Sequence, residues 1–336
     1  MSRPIVDIHT HVYTPAYLDM LRARTKVPYV HDPSSGATSR LIILSSDDNA
    51  TTPLDRRGRP VDSSYSDINV KLEFMRRHGI TTSVVSLANP WLDFLDPNEA
   101  QMWAERINND LEETCALVNE SRTTSTEGTK TLFAFGALPL SAPAASMVAA
   151  EVSRLKTLPH MRGVIMGTTG LGKGLDDTNL DPIWAALQDT ETLLFLHPHY
   201  GLPDEAFGGP DVTERYGHVL PLALGFPLET TIAVTRMLLS GVFDRFPKLQ
   251  VLLAHSGGTL PFLAGRIESC IAHERKFVAN GGSTQGPRRS IWDVLNTNIY
   301  LDAVVYGEAG LKAAIHAAGS HDRILFGMLS GETLSN

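Results

Sequence analysis

The 336-residue chain has only two cysteines, Cys115 and Cys270. That number excludes a disulfide framework, and because both fall in stretches that read as helix, it fits a reducing compartment. Neither lies near a histidine cluster in sequence, so no catalytic thiol is expected. A basic surplus is also missing. Lysine and arginine number 29 against 37 acidic residues, for a formal net charge of -8, and the basic side chains are scattered, which removes the electrostatic footprint of a nucleic-acid binder. No apolar run approaches the ~20 residues of a membrane span. The N-terminus has no basic region followed by an apolar core, so the expected location is the cytosol. Internal repeats and low-complexity tracts are absent. What remains, at 43% hydrophobic residues, is a globular chain long enough for one large α/β domain or two ordinary ones.

Apolar runs that read as strands alternate along it with amphipathic helical stretches. The strands are predicted at Pro4–His9, Thr82–Leu87, Thr131–Ala137, Gly163–Gly167, Leu193–His197, Leu249–His255, Asn298–Ala303 and Arg323–Gly327. Helices are predicted between them at Ile68–His78, Glu99–Asn119, Ala142–Lys156, Pro182–Leu187, Leu228–Phe243, Leu260–Phe277 and Ala309–Ala318. Near-continuous apolar strands separated by helices mark a parallel sheet covered on both faces, and eight such units predict an α/β fold of the (β/α)8 TIM-barrel class. Residues 1–336 read as one such domain. Residues 12–66, rich in Pro, Ser, Asp and Arg, are too long for a plain βα loop and read as an insertion over the barrel mouth, with a small hairpin in which Arg40–Ser45 is β-like.

The chemistry-bearing residues cluster at strand ends. Asp7-Ile8-His9-Thr10-His11 follows an apolar run, and side chains at i and i+2 of a strand share a face, so His9 and His11 project together. His197 ends the fifth strand and His255 the sixth. In a (β/α)8 barrel the active site lies at the carboxyl ends of the strands, so four histidines from three strands point to one mononuclear metal site, with Zn²⁺ favoured by the imidazole donors. His199, after Pro198, reads as a loop or substrate-facing imidazole. The remaining histidines read as solvated or capping groups. Gly167–Gly174 resembles a phosphate-binding loop, but Gly174 occupies the position of the hydroxyl residue that binds Mg²⁺, so a tight glycine-rich βα turn is the better account.

The VDIHTH start, LHPH after the fifth strand, AHSGGTLPFLAGRIE after the sixth and DRILFG at the eighth together resemble the amidohydrolase-2 group of metal-dependent decarboxylases. The longer runs SLANPWLDFL, GTTGLGKGLDD, FLHPHYGLP and YGHVLPLALGFPLETTIAV look closest to its fungal branch acting on uracil-5-carboxylate (isoorotate). The resemblance spans residues 3 to 327. It implies a Zn²⁺-dependent, non-oxidative decarboxylase that takes a small carboxylated aromatic or pyrimidine substrate, with His9, His11 and His197 as metal ligands and His255 as the active-site histidine beside the metal. It also implies that Asn89, Phe226, in the long loop after the fifth strand, and Arg266 touch the substrate. Ordinary alternatives stand beside these roles: Arg266 as a helix-surface ion pair and Phe226 as core.

After the eighth strand the group carries a metal-ligating aspartate. Here the chain reads Gly327-Met328-Leu329-Ser330-Gly331-Glu332 and ends at Asn336, so Leu329 stands at the aspartate's position. Residues 328–336 read as a divergent tail and an incomplete C-terminal end, of the kind that an alternative splice form, retained intron or mistaken gene model produces. Three readings stay open here: a decarboxylase; a hydrolase of an amide or lactone with His255 as base; and a catalytically impaired form that pairs with full-length subunits. Homo-oligomerisation is likewise open.

Overall fold

A computed structural model describes residues 4–120, 131–278 and 289–328. It divides into two compact units, one of Met1–Pro143, Leu158–Arg162 and Met328–Asn336, the other of Ala144–Thr157 and Gly163–Gly327.

In the first unit the elements run β1 (Ile5–Val12), α1 (Pro15–Arg22), β2 (Tyr29–His31), β3 (Arg40–Ile42), β4 (Arg59–Pro60), α2 (Ser63–Ser66), α3 (Ile68–Arg77), β5 (Ile80–Leu87), α4 (Ala100–Glu120) and β6 (Thr131–Ala137). The strands β1, β5 and β6 are parallel neighbours in that order. β1 is buried without alternation from Asp7 to Val12, as expected of a strand covered on both faces. It extends past the predicted end at His9 and so carries His11 within the strand, where Cα pairing sets His11 beside Ser86 of β5. Asn108 fixes α4 to the end of β6, since its amide donates to the Ala137 carbonyl (2.9 Å) and accepts from the Ala137 N–H (2.8 Å).

The excursion after β1 holds more structure than its composition suggested. β2, β3 and β4 form a three-stranded antiparallel sheet, where a hairpin was expected. Helix α1 is nucleated by Thr14, whose hydroxyl accepts the Tyr17 N–H (3.3 Å), with Pro15 at its first position. Arg40 donates to the Arg57 carbonyl (3.0 Å), and Arg57 pairs with Asp48 (2.8 Å). Backbone-to-guanidinium bonds of this kind leave no hydrophobic period to read.

The second unit contains α5 (Ala145–Leu155), β7 (Met161–Gly167) from Gly163 onwards, α6 (Asp181–Asp189), β8 (Leu193–His197), α7 (Pro210–Tyr216), α8 (Phe226–Leu239), α9 (Val242–Arg245), β9 (Val251–Leu253), α10 (Leu260–Val278), α11 (Ile291–Thr297), β10 (Ile299–Asp302), α12 (Glu308–Ala318) and β11 (Ile324–Leu325). Its strands are parallel in the order β7-β8-β9-β10-β11. The registers Gly167 with His197, Leu196 with Leu253, Leu253 with Leu301, and Asp302 with Leu325 align the carboxyl ends of these strands at one edge. The predicted helix Leu228–Phe243 is divided at Gly241, which sits at φ +74°, and its start lies two residues earlier, at Phe226. A π-turn at Pro221–Gly225 leads into α8, giving a continuous helical run Pro221–Leu239 that is long and apolar enough by length and composition to cross a membrane. This corrects the absence of such a run in the sequence reading. Half of it is buried within the protein, with Ala233, Val234, Met237 and Leu238 in the core.

Both cysteines are free and lie in helices, as expected, but in different settings. Burial in α4 pushes the Cys115 thiol up to about 12, while Cys270 on α10 is exposed. Because the thiolate is the reactive form, Ellman's reagent at pH 8 is expected to titrate one thiol in the native protein and two after unfolding. Two fast native thiols would contradict the burial of Cys115.

Candidate metal and substrate site

In the first unit, His9 and His11 are both buried and their Nε2 atoms lie 3.2 Å apart. The Ser86 hydroxyl bonds His11 Nδ1 (2.9 Å), which orients the ring so that Nε2 faces His9. Zn–N bonds of ~2.0–2.1 Å at a tetrahedral ion separate two ligand nitrogens by about 3.3 Å, so this spacing fits two imidazoles on one metal. Behind the pair lie further buried polar groups. Asp7 accepts the N–H groups of His9 (3.1 Å) and Met328 (3.0 Å), and burial pushes its carboxyl up to about 6. Lys71 donates to the Thr10 hydroxyl (2.6 Å), and burial pushes its ammonium down to about 8. Asn89 is half-buried beyond β5. Its carbonyl accepts the Tyr13 hydroxyl (2.9 Å).

In the second unit, His197 closes β8 and donates from Nδ1 to the Pro198 carbonyl (2.8 Å). A carbonyl only accepts, so Nδ1 carries the proton and Nε2 is left as a neutral donor, the tautomer a metal-ligating imidazole needs. His255 is the neighbour of His197, with ring centroids 5.1 Å apart and a ring nitrogen of each within 4.8 Å of the other. Phe226 lies 6.1 Å from both rings and 5.0 Å from Tyr200. It was expected in a loop; it is the first residue of α8, because the preceding π-turn keeps the chain helical. His255 likewise departs from the predicted strand. β9 stops at Leu253, and His255 and Ser256 both sit at φ +53°, followed by Gly257 and Gly258 at φ +72° and +65°. Left-handed backbone at a non-glycine residue costs on the order of 1–2 kcal/mol, and such strain persists where the surroundings over-determine it. Arg266 is exposed on α10. Leu329 and Glu332 lie outside the described residues.

Two buried carboxylates were not singled out from the sequence. Glu229, one turn into α8, accepts the N–H groups of His199 and Gly201 (2.7 Å each) and the Thr168 hydroxyl. It therefore ties the loop after β8, the glycine-rich turn after β7 and the helix of Phe226 together, and it accounts for His199 as a loop residue. Glu229→Ala strands these donors in a buried site, with an expected loss of about 3 kcal/mol of stability. Urea unfolding checks it; a loss below about 1 kcal/mol would show that water replaces the carboxylate. Asp302, at the end of β10, accepts the backbone N–H groups of His255 and Ser256. Its only sequence signal is its place at a predicted strand end.

The family model described as "Amidohydrolase" matches residues 6–328. The chain belongs to the amidohydrolase family. Its fold matches the crystal structure of the IDCase of Metarhizium anisopliae in apo form, at a TM-score of 0.85 and 48% identity, covering 97% of this chain and 84% of that one. A 5-carboxyvanillate decarboxylase from Novosphingobium aromaticivorans, complexed with manganese, matches at a TM-score of 0.70 and 19% identity over 98% of this chain and 87% of that one. The 2-amino-3-carboxymuconate-6-semialdehyde decarboxylase of Dictyostelium discoideum is 27% identical over 262 residues, 78% of this chain and 66% of its own length. These matches bear out the expected α/β class with (β/α)8 organisation.

Proposed function

We propose that the protein is a metal-dependent, non-oxidative decarboxylase that converts uracil-5-carboxylate to uracil and CO2, with His9, His11 and His197 holding one divalent ion, preferentially Zn²⁺. The observation that carries this reading is the 48% identity to the Metarhizium IDCase, an isoorotate decarboxylase, over 97% of the chain. The paired Nε2 atoms of His9 and His11 and the fixed tautomer of His197 support the ligand set.

When bound, the ion supplies Lewis-acid stabilisation and orients the carboxylate. The residues of the chain do the rest. The ring stacks on Phe226, whose helix is anchored by Glu229. Asn89 offers an amide able both to donate and to accept, as a pyrimidine edge requires. The exposed Arg266 guanidinium supplies paired donors for a carboxylate or carbonyl of the substrate. The bond from the ring carbon to the carboxylate breaks, its electron pair stays on the ring carbon, and a proton takes the place of CO2. His255 carries that proton on its buried Nε2, next to His197.

The test is incubation with uracil-5-carboxylate in the presence of zinc or manganese, measuring uracil and CO2. Equimolar uracil and CO2 with no water consumed is the expected result. Turnover only of a carboxylated phenol, such as 2,6-dihydroxybenzoate, would overturn the pyrimidine substrate and keep the decarboxylase. Hydrolysis of an amide or lactone instead would overturn the reaction class.

A further inference from the structure

The turn that carries His255 is held by a buried carboxylate, and we propose that Asp302 is the positioning residue of His255. Asp302 is fully buried at the end of β10. Its Oδ2 accepts the N–H of His255 (3.0 Å), and its Oδ1 accepts those of Ser256 (2.7 Å) and Val304 (3.1 Å). The Ser256 hydroxyl donates in return to the Asp302 backbone carbonyl (2.6 Å). Three of these four hydrogen bonds thus tie Asp302 to the two successive non-glycine residues in left-handed conformation.

The chemistry of the side chain matters here. Two consecutive left-handed residues turn their N–H groups to the same side, and a carboxylate offers one oxygen to each. Asparagine has a single acceptor oxygen and would set its own N–H2 against one of the two donors. Strained backbone of this kind holds only where its partners over-determine it. Because φ and ψ of His255 fix the direction in which its imidazole leaves the chain, Asp302 aims the ring towards His197 and Phe226 before any substrate arrives. Gly258 completes the device from the other side, since a Cβ there would collide with the Pro227 carbonyl at the start of α8. β10, which otherwise contributes no residue to the proposed site, thereby acts on it through one carboxylate.

This role rests on the reading of His255 as the proton carrier, and the experiment separates the two. In the wild-type protein, amide hydrogen exchange at His255 and Ser256 is expected to be as slow as in the adjoining strands β9 and β10. In Asp302→Asn it is expected to be at least tenfold faster, with kcat for decarboxylation lowered at least tenfold and KM moved less than threefold. Unchanged exchange in Asp302→Asn, or a loss carried by KM alone, would overturn the positioning role. Should the variant fail to fold, the wild-type exchange decides: fast exchange at His255 and Ser256 overturns the proposal and slow exchange supports it. A wild-type protein that releases no CO2 while Asp302→Asn still frees the turn would overturn the decarboxylase reading and leave the positioning role standing.

Discussion

Replacing His11 by alanine is expected to strip the protein of its metal while leaving it folded. The Nε2 of His11 is held 3.2 Å from that of His9 and oriented by the Ser86 hydroxyl, so its loss removes a proposed ligand that is aimed in advance. Loss of an outer hydrogen-bond partner alone costs ~10–100-fold in metal affinity, so deletion of the ligand itself should cost more than about 100-fold. The fold should survive, because the first unit is built on the apolar residues of β1, β5 and β6, which include Ile8, Val84, Val85 and Leu132, and not on an ion. Metal content after dialysis and the thermal midpoint are the two measurements. Unchanged zinc and manganese occupancy in His11→Ala would remove His11 from the ligand set.

The second large effect is expected at His255. Alanine would confound the test, because position 255 sits at φ +53° and an ordinary side chain there is strained; asparagine tolerates that conformation. His255→Asn should therefore keep the turn and lose the proton carrier, lowering kcat by about 1,000-fold, within the range of general acid–base contributions. Metal occupancy and thermal midpoint should be near those of the wild type. Activity within threefold of wild type, at equal metal content, would move the proton-transfer role to another group.

Sequence pattern brought His9 and His11 together for a simple reason. His9 and His11 are two residues apart in a strand, and the period of two puts them on one face whatever the rest of the chain does. His197 was equally legible, since it ends an apolar run followed by Pro198, and a proline after a histidine closes the strand there. Most helices were placed near their observed ends because their apolar positions repeat at the helical period. In the excursion, the β-like stretch Arg40–Ser45 contains β3, but α1, β2 and β4 have no counterpart in the sequence pattern. The two strands have three and two residues, too few to show an alternating pattern; α1 buries Ala16, Tyr17, Leu18, Met20 and Leu21 but spans only eight residues, barely two turns over which to read a period.

The sequence by itself determined the class of the protein: parallel strands alternating with helices, histidines at strand ends, and motifs that resemble the amidohydrolase-2 decarboxylases. Only the tertiary structure decided what aims those histidines. Asp302 and Glu229 are two acidic residues among 37, and nothing local distinguishes them from carboxylates facing solvent. Their roles come from donors distant in sequence, the N–H groups of His255 and Ser256 for Asp302 and those of His199 and Gly201 for Glu229. A buried carboxylate acquires its function from which N–H groups the folded chain turns towards it, and that is fixed by loop backbone conformation, for which the residue order carries no periodic signal.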